Sequence, residues 1–172
     1  MDRQLKEQQD TINNMDPEKL ADNIKNYKGR PAGDAAARRQ TREDYRRTET
    51  RKLSEQYQAG GVKNFAEQAA KNVATKMADM NATHTLNLVA GGDGSLSGMG
   101  DASVNKSMGA QWNGGRSKQL LAHADEAKRK GKKMGVTLEE CPPKGGKGSK
   151  EGMGGADTPA PGTGDPGPPP TS

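Results

Sequence analysis

Apolar residues recur most regularly between Val62 and Ala78. There Val62, Phe65, Ala66, Ala69, Ala70, Val73, Ala74, Met77 and Ala78 keep the spacing of one helical face without a gap. That pattern predicts an amphipathic core helix. More polar helices are predicted around it. One covers 2–14, and a second covers 17–27, with Asp16 as N-cap and Pro17 in its first turn. Gly29-Arg30-Pro31 ends the second, and Asp34 can cap a long helix over 35–58 that stops at Gly60-Gly61. Asp101 can cap a short helix over 102–112, and a further helix is expected over 116–130 with Leu120, Leu121 and Ala124 inward. Residues 91–101 read as loop, and Val136–Cys141 could form a short strand. The expected fold is mainly α, with room for a minor strand element.

Composition limits the core. Leu, Ile, Val and Phe supply 17 of 172 residues, and aromatics only 3%. That is below the share of roughly 20% at which disorder becomes a serious expectation. A small core of Ala, Met and a few Leu and Val is expected, and with it marginal stability. Residues 142–172 hold Gly, Pro, Lys and Ser with almost nothing apolar and read as a disordered tail. The division expected is an N-terminal helical segment over 1–28, a main domain over 29–141, and the tail.

A net charge of +5 and a pI near 9.3 favour anionic partners. The single cysteine, Cys141, excludes an intrachain disulfide and reads as a buried structural thiol. No signal-peptide core and no membrane-spanning run is visible, so work in a cytoplasm is expected. Arg38, Arg42 and Arg46 recur every four residues and share a helix face, either solvated or in contact with phosphate. Glu43 can pair with Arg47 and use part of that charge.

The candidate chemistry centres on His84, one of two histidines. It lies seven residues after Met77, so a continued helix would bring it to the buried face, with Asn87 one turn further on. Gly91-Gly92 would then stop the helix and free backbone N–H groups. An imidazole can act as general base near neutral pH, and an acid three residues on could address the same ion or substrate. Trp112 is expected as a core anchor and His123 as a surface residue.

Two adjoining runs carry a resemblance. They are Thr83-His84-Thr85-Leu86-Asn87-Leu88-Val89-Ala90-Gly91-Gly92-Asp93 and Gly98-Met99-Gly100-Asp101, continuing through Val104-Asn105, Gly109 and Gln111-Trp112. Together they resemble the HxxD nucleases of bacterial polymorphic toxins, the Tde-like DNase toxins. The likeness extends more loosely from Tyr27 to Cys141 and leaves out the tail. It implies a small helical domain with a glycine-rich active-site loop, in which His84 matches the family's His and Asn87 its Asp. The amide brings no negative charge, so metal affinity should drop. Asn87 marks either a degenerate toxin or a disarmed one.

The resemblance further implies a divalent metal, Mg²⁺ by expectation, with Asn87, Asp93 and Asp101 as candidate ligands. Asp101 has the competing role of helix cap. Arg38, Arg42, Arg46, Asn105 and Gln111 are the candidate contacts to DNA. A cognate immunity protein and a secretion-system carrier or chaperone are the implied partners. The chain would be made in a bacterial cytoplasm, then secreted, by a type VI system for example, and delivered into the target cell's cytoplasm. The alternatives are a non-enzymatic basic nucleic-acid-binding protein, which would use Lys128–Lys133 as well, and a disordered adaptor. An HNH-type site lacks a second His at suitable spacing.

Overall fold

Asp16 accepts hydrogen bonds from the backbone N–H groups of Glu18 and Lys19, and Pro17 takes the first helical position, so the second helix starts where its residue order places it. The computed structural model describes residues 3–139. In chain order the elements are α1 (Arg3–Asn14), α2 (Pro17–Lys25), α3 (Asp34–Ala59), α4 (Phe65–Ala78), β1 (Met80–His84), β2 (Leu96–Asp101), α5 (Ala102–Gln111) and α6 (Ser117–Lys130). A 3₁₀ turn covers Leu88–Ala90, and a π turn over Trp112–Arg116 joins α5 to α6. The fold is mainly α with one small sheet, as expected. The tail expected over 142–172 and Cys141 lie outside the described residues.

The main core gathers Ile12 from α1, Leu20 and Ala21 from α2, Leu86 and Ala90 from the turn region, Trp112, and Leu120 and Ala124 from α6. Trp112 is buried, and its indole N–H donates to Gln8 Oε1 at 2.7 Å, so its polar atom is satisfied within the core. Met134, Val136 and Leu138 close this core from a segment over 132–139 that forms neither helix nor strand. The strand expected over 136–141 is not one as far as the described residues reach. Side chains of α1 replace a neighbouring strand: Asn13 both donates to Val136 O and accepts from Val136 N, and Gln9 accepts from Leu138 N.

A second, smaller cluster joins Val73 and Met77 of α4 to Ala82 and Met99 of the sheet, with Tyr45 and Leu53 of α3 packed on it. Helix α3 spans 26 residues, and Asp34 is its only buried one. A helix polar on nearly every side depends on pairs along its own surface. Here these are Arg46–Glu43, Arg47–Asp44, Lys52–Glu49 and Arg51–Glu55. Glu43 therefore pairs with Arg46 rather than with Arg47, the partner expected for it.

The largest departure from the sequence reading follows α4. The helix ends at Ala78 instead of continuing to His84, and the chain turns at Asp79 into β1. β1 pairs antiparallel with β2, so residues 96–101 are strand rather than loop. The pairing is non-local, and Gly, Asn and Met give the two segments little strand propensity of their own. Packing of Ala82 and Met99 on α4 stabilises what propensity does not.

Candidate active site

His84 is the last residue of β1, half-buried at the point where the ladder changes register. Thr83 faces Gly98 and His84 faces Leu96, which leaves Ser97 as the extra residue of a β-bulge. Gly98 takes φ +115°, a backbone shape that favours glycine. Bulges bend a strand and re-aim side chains, and this one lies where the imidazole leaves the sheet.

The imidazole Nε2 lies 2.7 Å from Asp34 Oδ1. Asp34 opens α3, but its carboxylate does not cap the helix; Gly33 holds the cap position at φ +87°. Both carboxylate oxygens are engaged elsewhere. Oδ1 meets His84, while Oδ2 accepts from Arg30 at 2.9 Å and lies 3.1 Å from Arg38 Nε. The side chain of Asp34 is 4% exposed and that of His84 12%. Burial pushes the Asp34 carboxyl up. Hydrogen bonds from Arg30 and His84 and the charges of His84 and Arg38 outweigh it and hold the group below its ordinary value of 3.8.

With Nε2 committed, Nδ1 is the ring nitrogen left for chemistry, and among the described residues no group bonds it. His84 lines a pocket of about 330 Å³ together with Asn87, Arg30 and Arg38, and with Asn105, Lys106 and Asn113 from the α5 side. His84 and Asn87 thus share one cavity although no helical turn joins them. Asn87 caps the 3₁₀ turn: its Oδ1 accepts from Val89 N at 3.0 Å.

The double glycine does not supply free N–H groups. Gly91 N donates to Leu88 O and Gly92 N to Asn87 O, which closes the turn. Space requires the glycine at 92, while Gly91 takes φ +89°, a backbone shape that favours glycine. A Cβ on Gly91 would lie 2.8 Å from Leu20 Cδ1, and one on Gly92 would lie 2.0 Å from Leu86 O. This glycine-rich turn seats the wall of the pocket against α2, and neither glycine lines the pocket of His84.

The remaining candidates disperse. Asp93 is exposed and accepts from Ser95 N. It borders a separate shallow pocket beside Asn23 and Lys28. Asp101 caps α5 by accepting from Ser103 N and Val104 N, the ordinary role weighed for it. Gln111 stays on α5, bonded to Ser107 Oγ. Of the arginine row, Arg38 reaches the pocket, Arg42 donates to the carbonyls of Met77 in the last turn of α4 and Met80 at the start of β1, and Arg46 pairs with Glu43. The three arginines therefore do different work and do not form one phosphate-facing row. His123 is half-buried on α6 and does not line the pocket.

A divalent ion needs several anionic oxygens or imidazoles at one point. Among the described residues no three His, Cys, Asp or Glu side chains converge in that way. Among the described residues no carboxylate lines the pocket, and Asp34, behind His84, is occupied by two arginines and the imidazole. The donor set, with Asn87 as an amide, does not fit a resident divalent ion.

Asp34 was missed from sequence. Its signal was present: a lone acid with arginine four residues before it and four residues after, at a helix start. Half-buried His84, held by buried Asp34, thus stands in a cavity that Arg30, Arg38 and Lys106 also line. Residues 1–141 match the family model described as novel toxin 15, and the chain belongs to that family, which makes it a polymorphic toxin domain. No curated protein matches the chain. Among the described residues no helix is long and apolar enough to cross a membrane.

Proposed function

We propose that this domain is a DNA-cleaving antibacterial effector of the Tde-like HxxD type, carried with the help of a secretion-system carrier or chaperone into a rival cell and neutralised in its producer by a cognate immunity protein. One observation carries the reading: His84 keeps Nε2 on buried Asp34, leaves Nδ1 unbonded, and lines a cationic pocket with residue 87. In the proposed step Nδ1 takes a proton from a water molecule as the water oxygen bonds to phosphorus. The ester oxygen leaves with its bonding pair and is protonated from solvent. Asp34 fixes the ring and offsets the charge of the imidazolium that forms. Arg30, Arg38 and Lys106 offset the charge that builds on the phosphate.

With Asn87 in place this chain should cut weakly or not at all. Asn87→Asp tests the site cleanly, because Asp and Asn serve about equally well as caps and the turn at Val89 is kept. A divalent ion, Mg²⁺ by proposal, belongs to this reading only for that variant. Plasmid is incubated with each form, with Mg²⁺ or with chelator. Cutting by Asn87→Asp with Mg²⁺, lost on adding His84→Ala while the melting transition survives, is the expected result. Equal cutting by both forms, or none by the variant, would overturn the assignment.

A further inference from the structure

The pocket holds more positive charge than the Asp34 carboxylate behind it balances. Arg30, Arg38 and Lys106 line it, and Asp34 opposes them from behind, so two positive charges remain when His84 is neutral. Lys106 differs from the two arginines. Exposed on α5, it has no hydrogen-bond or ion-pair partner among the described residues. Asn105 and Asn113 add amides on the same wall. Tyr27 also lines the pocket, and at 38% exposure it is the large hydrophobic side chain that the described residues leave in solvent. An unpaired lysine and two arginines that share one carboxylate, beside an exposed ring, match a nucleotide unit, with its phosphate on the cations and its base against the aromatic face.

We infer that this pocket is a metal-independent receptor for one nucleotide of a nucleic-acid strand, with the phosphodiester held by Lys106, Arg30 and Arg38 and the base on Tyr27. The inference rests on reading the cavity as the nucleic-acid site and does not depend on cleavage. It follows from the misfit to a divalent ion: protein cations occupy the role that a metal would otherwise take in offsetting phosphate charge.

The test measures anisotropy of a labelled single-stranded oligonucleotide with the full chain in excess chelator, across a series of salt concentrations. Lys106→Ala should weaken binding and flatten the salt dependence by about 0.7 in log–log slope, the release expected for one phosphate contact. Lys71→Ala, an exposed lysine on α4 outside the pocket, should leave the slope unchanged. Tyr27→Ala should weaken binding roughly fivefold or more at constant slope, and Tyr27→Phe should restore it. A mononucleotide should compete at far lower concentration than inorganic phosphate. The inference fails if chelator abolishes binding, if Lys106→Ala and Lys71→Ala behave alike, or if inorganic phosphate competes as well as the mononucleotide. Chelator-resistant, Lys106-dependent binding without any cutting by Asn87→Asp would leave the receptor standing and remove the nuclease reading.

Discussion

Replacing Asp34 with Asn is the perturbation with the most separable consequences. The amide keeps the size of the side chain and one oxygen for the imidazole, and it removes the negative charge that Arg30 and Arg38 share. Arg30 and Arg38 are 57% and 36% exposed, so solvent screens their attraction to Asp34. Each such contact contributes about 0.2–1 kcal/mol. The His84 contact is drier, and a hydrogen bond to a charged group there contributes about 1.5–3 kcal/mol. Because the amide retains part of that bond, the expected loss is about 2 kcal/mol. At roughly 3 °C per kcal/mol for a domain of this size, Tm should fall about 6 °C. Cleavage, measured in the Asn87→Asp background at a temperature where both forms are folded, should fall about a hundredfold or more, the range of general-base effects. Thermal melting and single-turnover plasmid nicking read the two quantities separately. A rate held within threefold of the parent while Tm drops would show that Asp34 serves stability alone. An unchanged Tm would refute the burial and pairing from which the magnitude was worked.

Other outcomes follow from the same geometry. Asp34 has a depressed pKa in the folded state, so its contribution to stability is complete above about pH 4 and is lost as pH falls through its lowered value; acid titration of Asp34→Asn should show a shallower loss below pH 4 than the parent, and identical curves would contradict the assignment. Gly92→Ala should prevent folding or lower Tm by more than 10 °C, because its Cβ would meet the Leu86 carbonyl at 2.0 Å; a normal melt and circular dichroism spectrum would disprove that contact. An immunity protein that covers the pocket should be acidic at its contact surface, and at a hundredfold excess over Kd it should stabilise the toxin by about 2.7 kcal/mol. Hydrogen exchange should then show protection around residues 84–112, and protection elsewhere only would refute that placement.

The helices were legible because their signals are local. The apolar stripe ending at Ala78, the cap at Asp16 and the cap at Asp101 each depend on neighbours within a few residues. The sheet was not legible, since β1 and β2 satisfy each other across an intervening turn and draw their stability from α4. That omission misplaced His84 by element while leaving it beside Asn87, because the 3₁₀ turn folds back to the same cavity. Asp34 escaped notice for a related reason. Its sequence context supports an ordinary helix cap, and only the tertiary fold brings it across 50 positions of chain to the imidazole. The double glycine was noticed, but its work is steric: Leu20 and the Leu86 carbonyl approach where a Cβ would lie.

The bonds from Asn13 and Gln9 to Val136 and Leu138 span 123 and 129 positions of sequence. A chain emerging in order from a ribosome or a translocation channel therefore cannot finish its main core until Leu138 is free. Ile12 and Leu20 must wait, partly uncovered, for Met134, Val136 and Leu138 to arrive. Closing so long a loop makes late docking of this strap the natural slow step of folding. Val89 lines the pocket and packs on the same core, so the pocket wall is complete only after nearly the whole described chain has been delivered. A fragment halted in transit would carry His84 and Asp34 without the packed wall that sets them together.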